Sequence, residues 1–174
     1  MTPLHPFIEA TLAAMVLIAA FTDLKRREIP NWLSLGGIAA GIALNTWFAG
    51  LAGLKTAGAG LGLAALILVP LFVMRWLGGG DVKIMGAIGA LAGPQYMIVI
   101  FVFDAILGGI AALVLVILRG RLLKTIKNIP RIFRVEREAE LEAGSEKSLG
   151  LPRAVTIAAA TLLVLWGATR APAG

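Results

Sequence analysis

Long apolar segments alternate with short polar ones along most of the chain. Five apolar blocks stand out, at about residues 6–22, 32–48, 56–73, 84–118 and 154–166. A helix needs roughly 20 residues to cross the hydrocarbon core of a bilayer, with about 17–25 as the range. The pattern therefore predicts an all-α, polytopic membrane protein.

The fourth apolar block is too long for one span, and Gly93-Pro94 interrupts it. Glycine followed by proline is a strong turn signal. We therefore predict a short helix from Ile84 to about Ala92 and a full one from about Met97 to Leu118. This gives about six transmembrane helices in one domain covering residues 1–174. Even with frayed ends the short helix reaches about 18 Å against a core of roughly 30 Å, so one of its ends is expected below the membrane surface.

The positions of the basic residues support six helices. The chain has sixteen lysines and arginines and a net charge of +6 at pH 7. All of them except Lys55 and Arg170 fall on one predicted side of the membrane. The positive-inside rule makes that side cytoplasmic and places both termini outside it. Without a turn at Gly93-Pro94 the long basic loop would move to the other side.

Composition excludes several classes of function. Hydrophobic residues make up 59% of the chain, whereas soluble domains are nearer 45–50% apolar. There is no cysteine, and His5 is the single histidine, so we expect neither a metal site nor a cofactor. Most of the positive charge flanks apolar segments, which favours membrane topology over nucleic-acid binding. The basic residues 25–27 follow the first apolar block instead of preceding it, so we expect a retained helix and no cleavable signal peptide.

The segment of about residues 119–153 is predicted to be a basic cytoplasmic loop. Apolar residues recur there at spacings of three or four between arginines and lysines. This pattern is typical of a helix lying in the membrane interface, interrupted at Pro130. A basic linker held near anionic lipid is an equal alternative. The acidic stretch at 136–146 is expected to be a solvated connector.

Two aspartates are the strongest candidates for chemistry. The predicted topology places Asp23 at the cytoplasmic end of the first helix and Asp81 at the cytoplasmic start of the short helix, on one face and at similar depth. Two carboxyl groups a few ångströms apart cannot both ionise readily, so such a pair shares one proton. The ionised member can activate water while the protonated member donates to a scissile carbonyl. The pair titrates as a unit, so acid and base are not assigned individually.

Each acidic residue also has a simpler explanation. Asp81 precedes the predicted short helix and could be its N-cap. Asp23 follows a helix, where the dipole disfavours negative charge, and could pair with the basic residues after it. Asp104 lies in mid-helix and is either a third functional group or, as we favour, a buried hydrogen-bonding residue without a matching partner at its depth. Glu9 is expected in the outer interface, and Glu28 is given no role.

Two local motifs contain these aspartates. Residues 23–31 read DLKRREIPN, and residues 78–83 read GGGDVK. Three glycines before Asp81 allow close backbone approach and could form a hinge that admits an extended peptide. A simple loop between helices is the alternative.

Together the two motifs resemble the signatures of type IV prepilin peptidases. The first resembles an aspartate followed by a basic stretch and Ile-Pro-Asn, and the second resembles the GxGD motif, which presenilin and signal peptide peptidase share. The resemblance covers essentially the whole chain. It implies that Asp23 and Asp81 are the catalytic pair. It also points to site-shaping or substrate-binding roles for Gly78, Gly80, Pro30, Asn31 and Lys83.

The resemblance further implies a multi-pass aspartyl protease of the bacterial inner membrane that needs no metal. Its partners would be the lipid bilayer and a prepilin or pilin-like precursor, whose leader it cleaves at the cytoplasmic face. The short form is similar to the peptidases of Flp/Tad-type pilus systems. Bifunctional members carry an N-terminal cytoplasmic region, often with paired Cys-x-x-Cys zinc motifs, so we expect no N-methyltransferase activity here.

Other functions stay open on the sequence alone. Archaeal preflagellin peptidases share the catalytic pattern. A small ion or proton carrier could use Asp23, Asp81 or Asp104 as relay sites. A non-enzymatic component of a secretion system would use the aspartates in helix contacts. The sequence does not fix the oligomeric state.

Overall fold

The described part of the chain is almost entirely helical. The structure, a computed structural model, describes residues 4–26, 28–118 and 153–170, and contains no strand within these ranges. The helices are α1 (Pro6–Arg26), α2 (Asn31–Val73), α3 (Gly79–Leu118) and α4 (Arg153–Arg170). The all-α prediction is confirmed. The basic segment predicted for residues 119–153 lies outside the described residues except for Arg153, which begins α4.

Three helical segments are long and apolar enough to cross a membrane. They are Pro6–Arg26, Asn31–Val73 and Gly79–Val114. Many large apolar side chains on the described helices are exposed, which would be unusual for a protein surrounded by water. Examples with more than half of their surface exposed are Leu17, Phe21, Leu35, Leu66 and Ile110. Such a surface is suited to contact with lipid.

Helix α2 reverses direction at Gly50. This residue has φ 57° and ψ −136°, a conformation that glycine adopts without the steric cost of a Cβ. Gly41 and Gly60, on either side of the break, would be roughly 28 Å apart in a straight helix. Both nevertheless pack against the backbone of the same α3 segment, residues 89–93. The two halves of α2 therefore run beside each other.

Helix α3 reverses at Gly93, which has φ 80° and is followed by Pro94. Asp81 and Asp104 would be about 34 Å apart in a straight helix. In the structure Asp81 contacts Arg153, and Asp104 is bonded to Thr156, one turn further along α4. The break therefore folds α3 back on itself, at the position that the Gly93-Pro94 turn signal predicts.

The core lies around the first half of α3. Every residue from Ile84 to Gly93 is buried. Small residues let the neighbouring helices approach, and the backbones of α2 and α3 come closest where Gly60 faces Gly89. Helix α4 packs against α1. Residues 107–118 belong to a second unit, and they are helical to Leu118.

Three helices differ in extent from the sequence prediction. Helix α1 continues to Arg26, so Asp23 lies within its last turn, and α4 extends from Arg153 to Arg170. Helix α3 begins at Gly79 and not at Ile84, so Asp81 is a first-turn residue. A carboxylate in the first turn stabilises a helix start, which apolar periodicity does not reveal. From Gly79 to the break α3 is about 21 Å long, still shorter than a bilayer core of roughly 30 Å.

Candidate active site

Asp81 is buried in the first turn of α3. Its backbone N–H donates to the Gly78 carbonyl oxygen over 3.1 Å. Its side-chain Oδ2 lies 3.3 Å from Nε of Arg153, whose own side chain is half exposed. Within the described residues this oxygen accepts no hydrogen bond. The Asp81 carboxyl group is therefore held by an ion pair and keeps hydrogen-bonding capacity for another group.

Asp23 is half-buried in the last turn of α1. Its Oδ2 accepts a hydrogen bond of 2.9 Å from the backbone N–H of Ala154. The first N–H groups of a helix have no partner within the helix and favour an anion. The start of α4 thus stabilises a carboxylate that the end of α1 would disfavour. Among the described residues Asp23 forms no salt bridge with Lys25 or Arg26, and Arg27 lies outside them.

The structure brings the two predicted aspartates to one place. Arg153 and Ala154 are consecutive residues of α4, and they contact Asp81 and Asp23 respectively. Asp81 also lies within electrostatic range of both Asp23 and Asp104. The first turn of α4 therefore joins the end of α1 to the start of α3.

Asp104 is a third carboxyl group near this turn, and it is buried. Its Oδ1 accepts a hydrogen bond of 2.7 Å from the Thr156 hydroxyl. No partner for Asp104 was predicted from the sequence, and Arg153 and Thr156 were not predicted to contribute to the site. The signal available in the sequence was the pair of polar residues in Arg-Ala-Val-Thr, where an apolar helix begins.

The two sequence motifs are adjacent in the fold. The Lys83 ammonium donates a hydrogen bond of 2.8 Å to Oδ1 of Asn31. A methyl group placed on Gly80 would lie 3.3 Å from Cδ1 of Ile29. Pro30, with φ −62° and ψ 135°, is the extended residue that precedes α2. Residues 29–31 therefore pack directly against the start of α3.

The glycines before Asp81 act through their small size. Among the described glycines positive φ occurs at Gly50 and Gly93, and not at 78–80. The expectation of a loop or hinge is wrong for Gly79 and Gly80, which are helical. A methyl group on Gly78 would lie 3.7 Å from Oδ2 of Asp81. Gly78 therefore places no side chain against this oxygen, which is itself buried.

The site has the means for acid–base chemistry by carboxyl groups. In the ranges that the structure describes, no group of three potential ligands could hold a metal ion. A cavity of about 610 Å³ lies near the start of α1, lined in part by His5, Phe48, Lys55 and Tyr96. It includes none of the predicted site residues, which lie toward the other end of α1.

Comparison with known proteins agrees with the motifs. A sequence model described as the type IV leader peptidase family matches residues 10–113. The prepilin leader peptidase/N-methyltransferase of Legionella pneumophila is 32% identical over 119 residues, which are 64% of this chain and 42% of that protein. The protein of the same name from Bacillus subtilis (strain 168) is 30% identical over 127 residues, 70% of this chain and 49% of its own length.

The chain spans less than half the length of these curated relatives. No solved structure shows a significant match. The region matched by the family, residues 10–113, is more than half of the chain and contains Asp23, Asp81 and both motifs. The chain belongs to the type IV leader peptidase family, a family of peptidases.

Proposed function

We propose that the protein is a membrane-embedded aspartyl endopeptidase that cleaves the leader peptide of type IV prepilins. Asp23 and Asp81 are its catalytic pair. The observation that supports this most is their convergence on consecutive residues of α4, in a chain that belongs to a peptidase family. Both relatives are named prepilin leader peptidases, which supports the substrate class.

The proposed reaction uses the two carboxyl groups alone. One proton is shared between Asp23 and Asp81, because two adjacent negative charges are costly. The ionised carboxylate takes a proton from water, which attacks the scissile carbonyl carbon, and the protonated carboxyl group donates to the carbonyl oxygen. The proton held by the base then passes to the leaving amine as the tetrahedral intermediate collapses. We place the entry of an extended peptide beside Gly78, which carries no side chain toward Asp81.

The site residues have distinct proposed contributions. Gly78 and Gly80 keep side chains out of the space around Asp81 and Ile29. Pro30 starts α2 in the orientation that brings Asn31 to Lys83, and this hydrogen bond ties the two motifs together. These contacts support a shaping role more directly than contact with substrate.

We further propose six transmembrane segments with both termini outside the cytoplasm of a bacterial inner membrane. The reversals at Gly50 and Gly93 support this, since each divides one long apolar helix into two that run beside each other. The concentration of basic residues on one side supports a cytoplasmic active site.

We propose more specifically that the protein cleaves Flp-like prepilins and that it has no N-methyltransferase activity. The absence of cysteine supports the second part, because the zinc motifs of bifunctional members need thiolates. Mass measurement of the mature pilin N-terminus tests this part directly. An added methyl group that depends on this protein would contradict it.

Co-expression with a pilin precursor tests the main proposal. Precursor size is followed on a gel with the wild type and with Asp23→Asn and Asp81→Asn at matched membrane levels. We expect shortening with the wild type and none with either variant. Full processing by either variant would refute the pair, and failure to process Flp-like, other type IV and preflagellin precursors alike would refute the activity.

A further inference from the structure

The first turn of α4 contacts three carboxyl groups from different parts of the chain. Arg153 pairs with Asp81, the Ala154 N–H donates to Asp23, and the Thr156 hydroxyl donates to Asp104. The first two contacts involve the proposed catalytic pair. The third has no place in the reaction described above.

Asp104 is buried in a segment that is otherwise apolar from Ile98 to Leu107, and a carboxyl group there is costly unless it is bonded. Among the described residues its hydrogen bond comes from Thr156, at 2.7 Å. The same hydroxyl lies 2.8 Å from the carbonyl oxygen of Arg153, one turn earlier. Asp104 is therefore linked through one side chain to the residue that pairs with Asp81.

The three α4 residues that contact these carboxyl groups lie in one helical turn. Thr156 follows Arg153 by three residues and Ala154 by two, so all three belong to one helical turn and move together. The hydrogen bond from Thr156 to Asp104 ties this turn to the second half of α3. A shift of the turn would pull the Ala154 N–H from Asp23 and the guanidinium from Asp81 at once.

We propose that Asp104 and Thr156 are positioning residues, whose hydrogen bond anchors the first turn of α4 so that it holds Asp23 and Asp81 together for catalysis. This inference rests on the proposed function for its kinetic test but not for its structural one. Neither residue needs to touch substrate.

Matched variants separate the hydrogen bond from other properties of these side chains. Thr156→Val keeps the shape of threonine and removes the hydroxyl, whereas Thr156→Ser keeps the hydroxyl. Asp104→Asn keeps an acceptor oxygen and removes the charge, whereas Asp104→Leu removes both. Thr156→Ala is a second hydroxyl deletion, in case the valine variant does not accumulate in the membrane.

The kinetic arm measures kcat and KM for a prepilin with purified protein. A displacement of about 1 Å at a reacting group can lower a rate about 100-fold. We therefore expect Thr156→Val and Asp104→Leu to lower kcat about 10- to 100-fold with KM unchanged, and their combination to be no worse than either alone. Thr156→Ser and Asp104→Asn should keep most of the wild-type kcat. Wild-type kcat in Thr156→Val, or an equal loss in Thr156→Ser, would overturn the inference.

The structural arm measures the distance between two spin labels. Leu24 and Trp76 are exposed, close in sequence to Asp23 and Gly78 respectively, and the chain has no native cysteine. Labels attached through Leu24→Cys and Trp76→Cys should give a longer or broader distance distribution in Thr156→Val than in the wild type or Thr156→Ser. An unchanged distribution would overturn the inference. If the wild type cleaved no prepilin, the proposed function would fail while this arm still decided the positioning role.

Discussion

The close approach of α2 and α3 predicts a large effect of a single methyl group at Gly60. A Cβ there would overlap the carbonyl oxygen of Gly89 and would lie 2.9 Å from the carbonyl carbon of Gly93. All of these obstacles are backbone atoms, which cannot rotate away as a flexible side chain can. Gly60→Ala therefore forces the second half of α2 away from the buried half of α3.

The expected cost follows from overpacking a close helix contact. Inserting a methyl group into a well-packed site costs typically about 1–3 kcal/mol. Alanine also stabilises a helix relative to glycine by roughly 0.5–1 kcal/mol, and this gain must be removed from the comparison. Gly62→Ala provides that control, because it lies on the same helix and a Cβ there has no neighbour within 4 Å.

Thermal unfolding in one detergent, followed by tryptophan fluorescence, measures the difference. For a chain of this size about 1 kcal/mol corresponds to a change in Tm of roughly 2–4 °C. Gly60→Ala should therefore unfold roughly 2–12 °C below Gly62→Ala. If the two variants unfolded at the same temperature, the helices would not be packed backbone to backbone at Gly60 and Gly89.

Three further predictions concern polar contacts and metal. The side-chain amide nitrogen of buried Asn45 lies 2.9–3.1 Å from three carbonyl oxygens, which share its two hydrogens. Asn45→Ala should therefore lower stability by about 1–3 kcal/mol in the same unfolding assay, and no change relative to exposed Thr46→Ala would contradict this. Asn31→Ala and Lys83→Ala should lower cleavage to a similar extent. In a double-mutant cycle of the free energy of unfolding, the two substitutions should show a coupling of about 0.5–1 kcal/mol. Strictly additive effects on stability would show that the hydrogen bond between Asn31 and Lys83 contributes nothing. Cleavage by purified protein should be unchanged by EDTA, and a loss restored by added Zn²⁺ or Mg²⁺ would refute a reaction carried by carboxyl groups alone.

The helices themselves were largely predictable from local sequence. Apolar runs of the right length identify membrane helices because lipid leaves no alternative partner for backbone groups. The break at Gly93 followed from glycine and proline side by side. The apolar blocks at about 32–48 and 56–73 left residues 49–55 as a connection between two helices. In the structure every residue of this stretch except Gly50 is helical. One glycine with positive φ turns the chain without a loop, and apolar content does not reveal that.

The site was predictable only in part, because its contacts join distant residues. The motifs identified Asp23 and Asp81, and the predicted topology placed them on one side. Their partners on α4 were missed, since the bond from Ala154 to Asp23 joins residues 131 apart in the chain. The partner of Asp104 is 52 residues away. Such pairs depend on how the helices pack against one another. The spacing of apolar residues along one sequence does not reveal which residues of two helices lie side by side.

Cleavage of a prepilin by purified protein in liposomes is the sharpest test of the proposed roles of Asp23 and Asp81. Product mass is measured for the wild type, Asp23→Asn, Asp81→Asn and the control Glu28→Gln, which changes an exposed carboxylate that has no proposed role. We expect one cut at the leader boundary with the wild type and the control, and no product with either aspartate variant, when all four proteins are folded and present in equal amounts. Cleavage by Asp23→Asn or Asp81→Asn at the wild-type rate would contradict these roles.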